Sequence, residues 1–139
     1  MPEIFTDEWA QAWCQQINEN GNYREAARSW EGPVGLVMRA DASQGIESER
    51  AVVADLWHGE CRGASARPDG DVDDAAFVIA ADVTTWKSVL DGSTDPIVGL
   101  MGGKLKLQKG SLFKLLPYAK AAKEMVASAQ KVDTVFPGD

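Results

Sequence analysis

The chain of 139 residues has one histidine, two cysteines and a deficit of basic residues. It also lacks any apolar run near the ~20 residues that a membrane span needs. Each shortage removes a class of function. His58 stands beside Gly59 in a turn between strand-like segments, with no nucleophile placed by sequence to pair with it, so it reads as a solvated turn residue and not a member of a triad. Cys61 follows too closely to sit on a separate loop and reads as a small buried hydrophobe. Cys14 and Cys61 lack metal-ligand spacing, and Met1–Ala10 carries acids where an export signal carries bases. The protein is therefore expected to be soluble and cytoplasmic, with both thiols reduced and a Cys14–Cys61 disulfide disfavoured. A net charge of −7 makes nucleic acid a poor partner, because phosphate binding needs an electropositive surface.

Metal and phosphate motifs are incomplete. Asp69, Asp71 and Asp73 alternate as in a calcium loop, but Asp74 occupies the glycine position and Ala80 that of the bidentate glutamate. Gly102-Gly103-Lys104 is phosphate-loop-like, yet Val98 replaces the first glycine and Leu105 the magnesium-binding hydroxyl. No metal and no cofactor is expected.

What is present is globular. Hydrophobic residues make up 45% and charged residues 25%, and the length suits one domain over residues 1–139. Charge is uneven: residues 1–99 balance to −11 and residues 100–139 to +4. The basic end is either a solvated helix face or a surface for anions, whether membrane headgroups or an acidic ligand group.

The pattern changes most sharply from Asp95 to Leu116. Pro96 suits a first helical position, Ile97 to Met101 make an apolar turn, and Gly102-Gly103 stop it. Lys104–Gln108 then alternates as a strand with Leu105 and Leu107 on one side, and Ser111 is placed to cap the helix that follows. Upstream, Thr6 caps a helix carrying the stripe Trp9, Trp13 and Ile17, which Asn20-Gly21 ends. A second helix is expected over Tyr23–Trp30. The Trp stripe reads as packing against a sheet, since large aromatics dominate cores.

Strands are expected over 34–41, Arg50–Trp57, Cys61–Arg67 and Ala76–Val83, each bounded by turn residues. Thr84 or Thr85 is placed to cap a helix with Trp86, Val89 and Leu90. Pro117 should kink or restart the last helix, and Val132–Asp139 is expected to be a loose tail. This order of elements describes an α+β fold with helices layered over one face of a sheet. Apolar groups accumulate toward the C-terminal end on short, glycine-interrupted helices, which is consistent either with a filled core or with a cover that parts to admit an acyl chain.

The phrase GGKLKLQKGSLFKLL, preceded by a short helix and Asp95-Pro96, resembles the C-terminal signature of the sterol carrier protein 2 family. The likeness extends back through Ala75–Pro96 and Arg50–Glu60 to the Gly35 strand, while Met1–Trp30 matches only in having helices. The resemblance implies a largely antiparallel five-stranded sheet under helices, with a hydrophobic tunnel between the layers. It implies non-enzymatic binding or transfer of fatty acids, acyl-CoA or similar lipids. The alternatives are an accessory domain of a lipid-processing enzyme and a cavity-free interaction module. Carried onto this chain, the tunnel residues are Trp86, Leu90, Ile97, Leu100, Met101, Leu105, Leu107, Phe113 and Leu116. Lys104, Lys106 and Lys114 would meet a ligand headgroup or, transiently, an anionic membrane. The Trp-bearing N-terminal half and Pro117 depart from the family pattern.

Overall fold

Alternation of side chains along three central strands separates the molecule into two unequal apolar faces. In the computed structural model, which describes all 139 residues, β1 (Val34–Met38) turns Val34, Leu36 and Met38 to one face and Val37 to the other. Val52, Ala54 and Leu56 of β2 (Arg50–Trp57) join the first face, as do Phe77 and Ala81 of β4 (Phe77–Ala81). The opposite face holds a small cluster of Val37, Ala51, Val53, Val78 and Ala80, closed by Val72 and Ala75 from the loop before β4. All helices therefore have one apolar face to cover.

With β3 (Glu60–Ala66) and β5 (Lys106–Lys109), the sheet runs β3-β2-β1-β4-β5. β1 and β4 are parallel and every other pair is antiparallel, so the sheet is mixed but mostly antiparallel. The β2–β3 hairpin turns on His58 and Gly59, both at positive φ.

Six helices lie over the larger face: α1 (Asp7–Asn18), α2 (Gly21–Ala26), α3 (Val83–Leu90), α4 (Pro96–Met101), α5 (Leu112–Leu115) and α6 (Ala119–Gln130). Thr6 caps α1 by accepting from the Trp9 N–H. Asn20 does more than end α1, because its side chain accepts from the Tyr23 N–H and starts α2 there; α2 then stops at Ala26, short of Trp30. Asp82, not Thr84 or Thr85, caps α3, and its hydrogen bonds with Thr85 hold its carboxyl below the ordinary value. A carboxylate one residue ahead of the apolar Val83 outcompetes the threonines, since Val83 is buried in the first turn. Ser111 makes no capping bond. Pro117 restarts the chain through a 3-10 turn (Leu116–Tyr118) before α6.

Four expectations fail. β1 stops at Met38, and β5 begins at Lys106 because the Leu105 N–H donates to the Gly99 carbonyl of α4 and not to a neighbouring strand. The C-terminal tail is fastened: Ile4 N–H donates to the Val135 carbonyl and Val135 N–H to that of Pro2, both at 2.9 Å, while Val132 is buried. Cys14 and Cys61 are joined in a disulfide, with Cα atoms 5.5 Å apart. Compartment reasoning pointed the other way; what overrides it is the seating of α1 on β3. Asn18 pins that contact by bonding both the N–H and the carbonyl of Cys61, each at 2.8 Å.

Candidate functional site

Between the sheet and the helices lies a cavity of about 100 Å³ whose wall is almost wholly apolar. Its floor is Val34, Leu36, Leu56 and Ile79. Trp86, Val89 and Leu90 of α3 and Pro96, Ile97 and Leu100 of α4 close one side together with Leu105. Ala121, Ala122, Met125, Val126 and Ala129 of α6 form the roof, whose small residues on one helix face leave the space open.

The remaining wall comes from Leu115 and Tyr118 and from the N-terminal segment: Phe5, Trp9, Trp13, Tyr23, Ala27 and Trp30. Four tryptophans thus face the cavity, and each indole N–H is already bonded elsewhere. Trp9 donates to Thr134 Oγ1, Trp13 to the Met125 carbonyl, Trp30 to that of Gly32 and Trp86 to that of Val37, at 2.8–3.0 Å. Only hydrocarbon edges and faces are left to a guest. Phe5 links Trp9 and Trp86 at centroid distances of 5.2 and 5.4 Å, so the three rings form one continuous stretch of wall. The titratable groups on the wall are the Tyr23 and Tyr118 phenols, and burial pushes the Tyr23 phenol well above its ordinary value, keeping it neutral. Such a wall can bury a chain. It has no nucleophile and base to perform chemistry on one.

Of the nine tunnel residues expected from the resemblance, Trp86, Leu90, Ile97, Leu100 and Leu105 line the cavity. Met101, Phe113 and Leu116 are exposed, at 67%, 86% and 39%, and Leu107 is half-buried outside the wall. Helical periodicity accounts for the first three. Ile97 and Leu100 share the inner face of α4, which puts Val98 and Met101 on its outer one; Leu112 and Leu115 likewise leave Phe113 and Leu116 outside. Lys104, Lys106 and Lys114 are all exposed, and none makes an ion pair. The N-terminal aromatics were the part not assigned to the site from sequence, although Trp9 and Trp13 at a spacing of four signalled one shared face.

A second, open hollow of about 520 Å³ adjoins the cavity. It shares Trp30 and Tyr118 with the cavity wall, and its other contributors include Ser29, Glu31, Phe77, Ser111 and Lys114. His58 lies outside both spaces, bonded through Nε2 to Glu31 at 2.5 Å and stacked on Trp57.

The family model for the SCP-2 sterol transfer family matches residues 10–123. The chain belongs to that family. A crystal structure of sterol carrier protein 2 is similar at 49% identity with a TM-score of 0.87, covering 94% of this chain and 99% of that one. A solution structure of a conserved hypothetical protein from Thermus thermophilus, described as possibly a sterol carrier protein, gives 46% identity and a TM-score of 0.88 over 100% and 96% of the two chains. The apo form of sterol carrier protein 2 from Yarrowia lipolytica, at 15% identity and a TM-score of 0.55 over 90% and 89%, shares the fold alone. No curated protein matches.

As an SCP-2 chain, the protein has the α+β lipid-carrier fold, a type concerned with binding and transfer of lipids. The matched range begins within α1, so the likeness takes in helices α1 and α2, where the sequence motif offered only a similarity of helix content. No helix is long and apolar enough to cross a membrane.

Proposed function

We propose that the protein is a non-enzymatic carrier of fatty acids, acyl-CoA or similar elongated lipids, held by burial between the sheet and helices. The observation that supports this reading best is the wall of four tryptophans whose polar atoms are all engaged within the protein. A guest chain gains about 0.8 kcal/mol per buried methylene, so about ten methylenes suffice for micromolar affinity.

The cavity in its closed form is small, since a cavity of about 150 Å³ accommodates only benzene. To hold an acyl chain the cavity must widen, and α4, with six residues and glycine-containing connections on either side, is the element to give way. Titration with palmitic acid should therefore quench tryptophan emission saturably in the micromolar range, slowly enough to follow by stopped flow. A linear, unsaturable signal would instead favour a cavity-free interaction module. Palmitoyl-CoA should be recovered intact after incubation; its turnover would favour the enzymatic alternative.

The cytoplasm remains the proposed compartment on composition, and the disulfide sets the condition on it. Cys14 and Cys61 are 8% and 5% exposed, so the bond is shielded from soluble thiols. The lysine-rich end is the proposed membrane contact, because Lys104, Lys106 and Lys114 stand near exposed Met101 and Phe113 in the chain. Co-sedimentation with phosphatidylserine vesicles should exceed that with phosphatidylcholine vesicles and fall as salt rises; equal binding to both would remove this contact.

A further inference from the structure

The open hollow beside the cavity is chemically unlike it. Phe77 and Gly110 form its base, and no other residue than glycine fits there: φ is +100°, and an added Cβ would lie 2.2 Å from the Phe77 ring. Around that base the groups are polar. Lys114 has no ion-pair partner, and the Ser111 hydroxyl is not engaged in capping α5. The only acid on the wall, Glu31, is held by His58 at 2.5 Å.

Only Trp30 and Tyr118 separate this polar space from the apolar one. Their rings meet edge to face at 4.8 Å, and Trp30 also packs on Phe77 at 4.9 Å. Trp30 is fixed by its own indole bond to the Gly32 carbonyl and by its carbonyl, which accepts from the His58 N–H at 2.7 Å. Tyr118 is held differently. Its hydroxyl is joined to Ser29 Oγ at 2.8 Å, an exposed bond, and it sits in the 3-10 turn between α5 and α6. Of the two rings, Tyr118 is the one whose tether is a single surface hydrogen bond.

We infer that the hollow seats the anionic end of an elongated ligand at Lys114, that the chain passes between Trp30 and Tyr118 into the cavity, and that the Ser29–Tyr118 hydrogen bond latches this passage. The inference rests on the carrier reading and adds to it an orientation and a gate. A carboxylate at Lys114 gains a charged partner with the Ser111 hydroxyl nearby, and a neutral end group of the same chain length gains far less. Glu31 opposes the anion, so neutralising it works in the ligand's favour.

The test compares palmitic acid with hexadecanol on the full chain and on four variants. Lys114→Glu should weaken palmitic acid about tenfold and Glu31→Gln should tighten it, each leaving hexadecanol within about twofold. Tyr118→Phe keeps the ring and removes the latch; it should speed dissociation of both ligands about fivefold, and Ser29→Ala should add nothing further in the double variant. Equal effects of Lys114→Glu on acid and alcohol, or no effect on either, overturn the headgroup seat. Unchanged dissociation rates in Tyr118→Phe overturn the latch. Were the wild-type chain to bind neither ligand, the carrier reading itself would fall, a result distinct from binding that the variants leave untouched.

Discussion

Replacing Cys14 and Cys61 with alanine is expected to lower stability by about 4 kcal/mol, because the bond closes a loop across 47 residues and so restricts the unfolded chain. Alanine avoids leaving a buried hydroxyl at positions that are 8% and 5% exposed. Urea unfolding of the oxidised protein against the double variant measures the difference, which should appear as a midpoint lower by about 2 M. A difference under about 1 kcal/mol would mean that the bond adds little beyond native contacts. Those contacts are substantial: Asn18 holds both backbone groups of Cys61, so α1 should stay seated on β3 without the disulfide. Palmitic acid affinity is accordingly expected to survive in the variant. Stability and binding should thus separate at this position.

The second large effect concerns binding alone. Leu100→Trp extends a wall residue into a cavity of about 100 Å³ and should reduce palmitic acid affinity about a hundredfold, as overpacking in a filled space does. Met101→Arg, one residue on, should leave affinity unchanged. The resemblance places both residues in the tunnel. In the structure Met101 is 67% exposed on the outer face of α4. Equilibrium titration of the two variants side by side decides whether α4 presents Ile97 and Leu100 to the ligand. Loss of binding in Met101→Arg, or full binding in Leu100→Trp, would place the ligand elsewhere.

Both predictions turn on a distinction between what is local and what is not. The Arg50–Trp57 strand was legible because its side chains alternate, and the start of α1 because Thr6 precedes two acids. Pro96 and Pro117 marked helix starts for the same reason: a missing N–H has its effect within one turn. Where two local signals competed, as Asp82 did with Thr84 and Thr85, the order of preference could not be read without knowing that Val83 is buried. The phrase running from Gly102 to Leu116 was distinctive enough to carry the family, and the match over residues 10–123 establishes it.

The site was legible in part. Trp86, Leu90, Ile97, Leu100 and Leu105 were named from the C-terminal third and line the cavity, whereas Phe113 and Leu116 stand outside it. A four-residue helix has no periodicity long enough to show which of its apolar residues face inward. Trp9 and Trp13 read as packing in the sequence, and they are packed; that their rings, with that of Trp30, also bound a cavity depends on α6 lying opposite with alanines at 121, 122 and 129.

The amino-acid order by itself determined the cores of the strands, the starts of α1 and α4, the acidic and basic halves, the shortage of reactive groups and the family, because each is written in near neighbours or in composition. Tertiary structure alone decided that Cys14 meets Cys61, that the tail is tied to Pro2 and Ile4, and that an N-terminal aromatic wall closes the cavity. These features join segments tens of residues apart. Their partners are selected by how the helices seat on the sheet, a choice made by the packing of the whole core and not by any stretch of chain within it.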